Sequence, residues 1–470
     1  TVDVAGKYLT KRLGLSSYLY QHHLPKNGLR FFFDREDRSA PLERLSEIGS
    51  TGLVPFPAFQ IDRARFEADL LAMNAADGVD VRIGPRVAGV RTDGAMHEIA
   101  LTEDGRATDG ARARWVIDAT GRASILARQK GLRVPAPLEH AAVWGRFTGV
   151  TDIDDYGPPA FRERVRHTAR MLSTNHLCYP GYWIWLIPLG RGVTSVGVVM
   201  QREHFSPAMR TEEGFLAFLR AHRAAAELLE RAEPIDVMSY DRLAYGTKRF
   251  ADARERWALT GEAAAFTDPL YSPGADFIAL ENDWITDLVR RDLAGESEAS
   301  LAERAALYES ALALRYESTL LLYDGLYGTL GSFELFASKW DLDLACYLNL
   351  WVEPYVLDLH LDLSAVRREV QAKDAVLGIL RTFRHVFTEA EGTLRREGRF
   401  FEKNLGHAVL DPAVRFLRPD FGTMESHRRA LPRVRDALQL VYDDVRRALG
   451  RPPSSEPIPF ARFALGRPLD

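Results

Sequence analysis

Cysteine is scarce in this chain, with two in 470 residues. Cys178 and Cys346 lie far apart and form no pair with metal-ligand spacing, so neither a disulfide framework nor a metal site is expected. A reducing, cytoplasmic setting follows. Long apolar runs are missing too. No stretch approaches the roughly 20 residues a membrane helix needs, and Thr1 to Lys7 do not read as a signal peptide, so a soluble protein with no membrane partner is expected. Charge of one sign is also lacking: 61 basic residues face 65 acidic ones, a net charge of −4. Without a basic block, no nucleic-acid partner is expected. A glycine-rich phosphate loop, G-x-G-x-x-G after a first strand, is the last absence, since Thr1 to Arg30 contain nothing of the kind.

The length predicts two or three domains or subdomains with a substantial core. From 28 to about 150 short strand-like runs dominate: 28–33, 79–83, 87–91, 97–101 and 114–118. Between them Phe66, Leu70 and Met73 recur at helical spacing behind Asp62 as N-cap. A second strand-rich region covers 140–200 and 234–247, interrupted by a polar stretch at 151–175. Beyond 275 long amphipathic helices take over, at 303–326 and 365–389, and the last twenty residues read as an extended tail. No internal repeat is visible.

Residues 259–277 are the most informative stretch. Trp257 to Thr260 read as a strand running into Gly261-Glu262, a turn where backbone meets a ligand. Asp268-Pro269 and Pro273-Gly274 set a second rigid turn before an amphipathic helix containing Phe277, Ile278, Leu280, Trp284 and Leu288. A helix N-terminus there suits an anionic or electron-rich group; taken alone, the stretch suits a surface loop equally well. Arg63 opens the Asp62 helix, where it can face phosphate while the apolar side packs on a sheet, or simply be solvated. At 115–122 the sequence Trp-Val-Ile-Asp-Ala-Thr-Gly-Arg reads as a buried strand ending in a turn at Ala119-Thr120-Gly121.

In this order and spacing the three motifs resemble flavoprotein monooxygenases of the p-hydroxybenzoate hydroxylase fold. The resemblance implies an α/β protein. Its Rossmann-like FAD-binding domain (1–140, incomplete at its N-terminus, and 251–300) is interleaved with a β-rich substrate domain (141–250) and followed by a helical C-terminal region (301–470). It further implies that the chain lacks its N-terminal segment, and that Arg63, Ala119, Thr120, Gly121, Gly261, Glu262, Asp268, Pro269 and Gly274 bind FAD. Glu262 replaces the family's usual aspartate.

Residues 181–189, Gly-Tyr-Trp-Ile-Trp-Leu-Ile-Pro-Leu, resemble the W-x-W-x-I-P signature of flavin-dependent halogenases. Alternation on a strand puts Trp183 and Trp185 on one face, ahead of Pro188, which ends pairing. By the resemblance these residues wall substrate away from flavin. Lys26 similarly matches the family lysine that precedes x-Gly-x-x-Phe, and so is the expected catalytic residue, although most lysines are solvated. The implied chemistry uses FAD in its reduced form, delivered by a separate flavin reductase, with O2 and chloride or bromide. Hypohalous acid forms, and Lys26 relays it to an electron-rich aromatic, phenolic or pyrrolic, free or tethered to an acyl carrier protein.

At the halide position the chain departs from the family. Pro273 has no N–H to donate, which leaves Gly274 to bind halide with another partner such as the Ser272 hydroxyl. Tyr271 stands where tryptophan-specific halogenases carry a glutamate, so free tryptophan is not the expected substrate. His360, His385 and His407 lack metal-like spacing and are expected to be structural. The alternatives are a flavin-dependent monooxygenase, hydroxylase or dehydrogenase of the same fold, and a non-enzymatic scaffold.

Overall fold

A computed structural model describes residues 1–53, 56–92, 96–412 and 419–455. The expected tail lies mostly outside the described residues. One large sheet dominates. Its eight strands run, from edge to edge, Glu233–Tyr240, His140–Thr148, Val193–Gln201, Tyr182–Gly190, Thr174–Tyr179, Leu29–Phe33, Ser46–Gly49 and Ala408–Leu410. Pairing is antiparallel except where Leu29–Phe33 meets Thr174–Tyr179 and where Ala408–Leu410 meets Ser46–Gly49. The strands 182–190 and 193–201 form a hairpin whose tight turn at Arg191-Gly192 takes left-handed backbone.

The sheet is buried on both faces. One covers a core of Phe32, Val143, Ile184, Val198 and Phe215. The other, with Phe31, Phe33, Cys178, Trp183 and Val199, packs under the helical region through Tyr323, Tyr327, Phe333 and Phe336. Strands buried on both faces read as near-continuous apolar runs, which is how Leu29–Phe33 stands out in the sequence, whereas the equally buried Thr174–Tyr179 opens on Thr174, Asn175 and His176.

A second, three-stranded sheet holds Val116–Asp118 parallel to Trp257–Leu259, with Ala251–Asp252 on the far side. Behind it Pro273–Leu293 and Glu298–Leu321 bury Trp284 and Tyr308, which stack with ring centroids 5.0 Å apart. A third sheet, Arg86–Thr92, His97–Glu103 and Arg106–Ala113, is largely exposed.

Several expectations are corrected. Residues 79–83 form no strand: Val79 and Ile83 are exposed and no neighbouring strand pairs with them. The expected helix 365–389 is two helices, Leu363–Gln371 and Lys373–Arg396, meeting at Ala372. The helix Arg63–Ala76 forms, but no residue of it is fully buried; Phe66 meets Tyr18 and His23 and packs against a small cluster of Leu9, Leu19 and Phe59. Asp62 stands at its N-cap without a side-chain cap bond. Ile117, read as part of a buried strand, is exposed. Pairing does not stop at Pro188, which stays in register with Thr194; the register shifts just beyond it, at Gly190, because proline removes one ladder donor and a bulge absorbs the gap.

Candidate active site

The two glycine turns expected at the cofactor lie side by side. Parallel pairing aligns Asp118 with Leu259, so Ala119-Thr120-Gly121 and Gly261-Glu262 both leave the carboxyl ends of adjacent strands, the usual place for a ligand crevice in an open α/β sheet. Gly121 and Gly261 take left-handed φ of 59° and 58°, where a side chain is strained. The first turn is held by Asp118, which accepts from Thr120 N–H (2.9 Å), Thr120 Oγ1 (2.6 Å) and Leu126 N–H (2.7 Å). The second is held by buried Glu281, which accepts from Gly261 N–H (2.6 Å) and Thr260 Oγ1 (3.1 Å). Burial pushes the Glu281 carboxyl up to about 7.

Glu262 keeps a half-buried carboxylate 3.8 Å from Arg122. Arg122 lies over Tyr240 and Tyr245 and donates to Leu243 O and Arg242 O, joining the first turn to the large sheet. A Cβ added to Gly121 would meet no atom within 4 Å. The backbone at Gly121 is thus open, while at Gly261 a Cβ would meet the Ile278 side chain at 3.3 Å; with the Glu262 carboxylate and the Arg122 guanidinium beside them, the turns fit the polar chain of a flavin. Arg63 is well apart in character: it is 78% exposed and paired with Glu67 at 2.6 Å.

Asp268 behaves differently from the expectation that it touches cofactor. Buried at 1% exposure, it accepts from Tyr327 OH (2.6 Å), His140 Nδ1 (2.8 Å) and Leu270 N–H (3.0 Å). Its side chain shapes the turn with Pro269, whose carbonyl accepts from Ser272 N–H at 2.9 Å. Ser272 then adopts left-handed backbone (φ 56°) and starts the helix Pro273–Leu293. Proline at the first helical position removes an N–H that has no intrahelical partner; those of Gly274 and Ala275 still point out of the helix end. Gly274 is exposed. Tyr271 turns inward, donating to Asp343 at 2.6 Å and accepting from buried Lys339 at 3.2 Å, and Lys339 also pairs with Asp343.

Trp183 and Trp185 share one face of the large sheet, ring centroids 5.5 Å apart. Register aligns Phe31, His176 and Trp185 across three strands. Trp185 lies over Gly197, where a Cβ would come within 2.2 Å of its ring, and donates to Ser195 Oγ at 3.1 Å. His176 stacks on Phe31 at 4.7 Å and meets Trp183 at 5.2 Å. Its Nδ1 donates to Arg30 O at 2.9 Å, which fixes Nε2 as the ring acceptor, and burial pushes its pKa down to about 3.

Lys26 stands just before the Phe31 strand, 5% exposed. Among the described residues its Nζ makes no hydrogen bond or ion pair; its backbone N–H donates to Ala58 O. Burial pulls the amine down to about 8, opposed by Asp3 and Asp276. Asp276, in the first turn of the Pro273 helix, accepts from Ala5 N–H (2.9 Å) and Tyr347 OH (2.8 Å), and burial raises it to about 7. Lys26 is thus within electrostatic reach of both His176 in the aromatic wall and Asp276 at the start of that helix. Sequence reasoning missed Asp276, His176, Glu281 and Tyr327, because each acquires its meaning from a partner on a distant element.

No family model matches the chain. It is similar to flavin-dependent halogenase chlA of Dictyostelium discoideum, 28% identical over 326 residues that cover 62% of this chain and 51% of that protein. Tetracycline 7-halogenase of Kitasatospora aureofaciens is 30% identical over 268 residues, covering 54% and 46%. The chain thus spans about half the length of the curated relatives it matches. Its fold is shared with halogenase PltM, solved with phloroglucinol and FAD, at a TM-score of 0.68 and 17% identity over 94% of this chain and 90% of that one. In sequence and in fold, the chain is related to the flavin-dependent halogenases.

Proposed function

We propose that the protein is a flavin-dependent halogenase that chlorinates or brominates an electron-rich, phenolic ring. The observation that carries this reading is Lys26: a buried amine that, among the described residues, has no anionic partner in contact, and that lies within electrostatic reach of His176 in the aromatic wall and of Asp276 in the first turn of the Pro273 helix. FAD, reduced by a separate flavin reductase, would give two electrons to O2, so that one oxygen atom oxidises halide to hypohalous acid while the other leaves as water. Gly121, Gly261 and Glu262 would hold its polar chain. Trp183 and Trp185 keep the aromatic substrate away from it, so that oxygen is not inserted directly.

Lys26 then handles the proton balance. At neutral pH the amine is mostly protonated, and its N–H polarises hypohalous acid toward the ring. The ring attacks the halogen, the C–X bond forms as X–O breaks, and Lys26 gives its proton to the departing hydroxide as water. The neutral amine takes up the proton lost by the ring. An amine near 8 suits both transfers, since it is protonated at the outset yet gives up its proton readily near neutral pH. Phenols are favoured because a tetracycline halogenase is among the relatives, and Tyr271 offers no free carboxylate to an indole N–H. Two buried, unpaired cysteines suit a reducing, cytoplasmic setting, and among the described residues no helix is long and apolar enough to cross a membrane.

The test is Lys26→Ala in the full enzyme with reductase. Halogenated product is expected to fall at least a hundredfold, the scale of losing an acid–base group, while the bound-flavin absorbance is retained. Halogenation at the wild-type rate would overturn the role of Lys26. Pro273, lacking a donor at the halide position, favours one competing reading, a hydroxylase that turns over without halide.

A further inference from the structure

Trp183 is held by its indole as well as by its ring. Nε1 donates to Tyr327 OH at 2.9 Å, Tyr327 OH donates to Asp268 Oδ2 at 2.6 Å, and His140 Nδ1 meets the same oxygen at 2.8 Å. The His140 and Tyr327 rings lie 3.9 Å apart. All four side chains are buried. Tyr327 also grips the hairpin that leads into the tryptophan strand, through Gly181 N–H to its carbonyl at 3.0 Å. Asp268, for its part, fixes the turn that ends at Ser272, by accepting from Leu270 N–H. One tyrosine from the helical region therefore joins the aromatic wall to the turn that opens the Pro273 helix.

We infer that Tyr327, backed by His140, is a positioning residue that keeps Trp183 and the Asp268-Pro269 turn at one fixed spacing, so that oxidant made at the helix start is delivered past the wall instead of escaping. This rests on the halogenase reading. A phenol suits the task because a single O–H donates to one side and accepts from the other, while phenylalanine keeps the ring and removes both bonds. Small displacements of groups that guide a reaction cost rate out of proportion to the stability lost.

The experiment compares wild type, Tyr327→Phe, Trp183→Phe and the double variant in the flavin-loaded enzyme with reductase. It measures halogenated product and hydrogen peroxide per reduced flavin consumed, together with the melting temperature. Tyr327→Phe, which removes two hydrogen bonds, is expected to lower the ratio of product to peroxide by at least about fivefold, and the double variant to be no worse than the poorer single one. A purely structural bond would lower the melting temperature and leave the ratio alone; an unchanged ratio, or multiplied losses in the double variant, overturns the inference. Should Tyr327→Phe not fold, Asp268→Asn weakens the same contact and is held to the same ratio. Wild type that makes no halogenated product overturns the halogenase reading and this inference with it, whereas wild-type product with an unaltered ratio in the variants overturns this inference alone.

Discussion

Lys26 is expensive to keep where it is. Its amine sits near 8 against an ordinary 10.5, so below pH 8 the folded protein carries a buried charge that the unfolded chain holds in water, at a cost of about 3 kcal/mol. Between pH 8 and 10.5 the folded state releases the proton while the unfolded state retains it, and that cost fades as pH rises. Lys26→Met is therefore expected to unfold at higher urea than wild type at pH 7 and to lose most of this advantage by pH 10; equal advantage at both pH values would contradict the assignment. In catalysis the same value works in the opposite direction. Turnover needs the protonated amine first, so it should decline as pH climbs through about 8, and a rise through that pH would mean the neutral amine acts first. Lys26 stands out in the sequence only through the resemblance of its segment to a halogenase motif, whereas the turns at Gly121 and Gly261 are signalled by local chain geometry. Asp276 and Tyr327 were not, since nothing near them in sequence signals a hydrogen bond to Ala5 or Trp183.

Elements place these residues, and two substitutions probe how. Gly197 lies beneath Trp185, and a Cβ there would come within 2.2 Å of the indole and 2.5 Å of Trp144. Gly197→Ala should therefore cost about 1–3 kcal/mol by overpacking and push Trp185 out of line, read as lost stability and a changed tryptophan emission. At the start of its helix Pro273 offers no N–H, and Pro273→Ala restores one without disturbing the backbone. Halide half-saturation should drop about fivefold, the worth of one hydrogen bond; unchanged halide dependence would place the halide elsewhere. The sequence pattern located most strands, because alternation and apolar runs report burial directly. It failed for 79–83, where apolar residues have no partner strand, and for the join at Ala372, where helical periodicity continues across a break.

At the scale of the molecule, the helical region completes the site instead of merely covering it. Fully buried Asn404 donates to Asp34 O (2.6 Å) and Gly331 O (2.7 Å) and accepts from Phe333 N–H (2.9 Å), tying the large sheet to the segment that carries Tyr327. Asn404→Ala should cost about 2–4 kcal/mol through unsatisfied buried groups and loosen the Trp183 contact with it. A mixed first part and a helical C-terminal part were readable from periodicity, while the α/β class followed from the family resemblance. The closing strand Ala408–Leu410, three residues long and half exposed, was too short to announce itself. The central claim, that this architecture halogenates, is tested most directly by mass spectrometry of products from a panel of phenols, with reductase, in chloride, in bromide and in halide-free buffer. The account predicts product mass that follows the halide supplied and no product without it; oxygenated product in every buffer would contradict it.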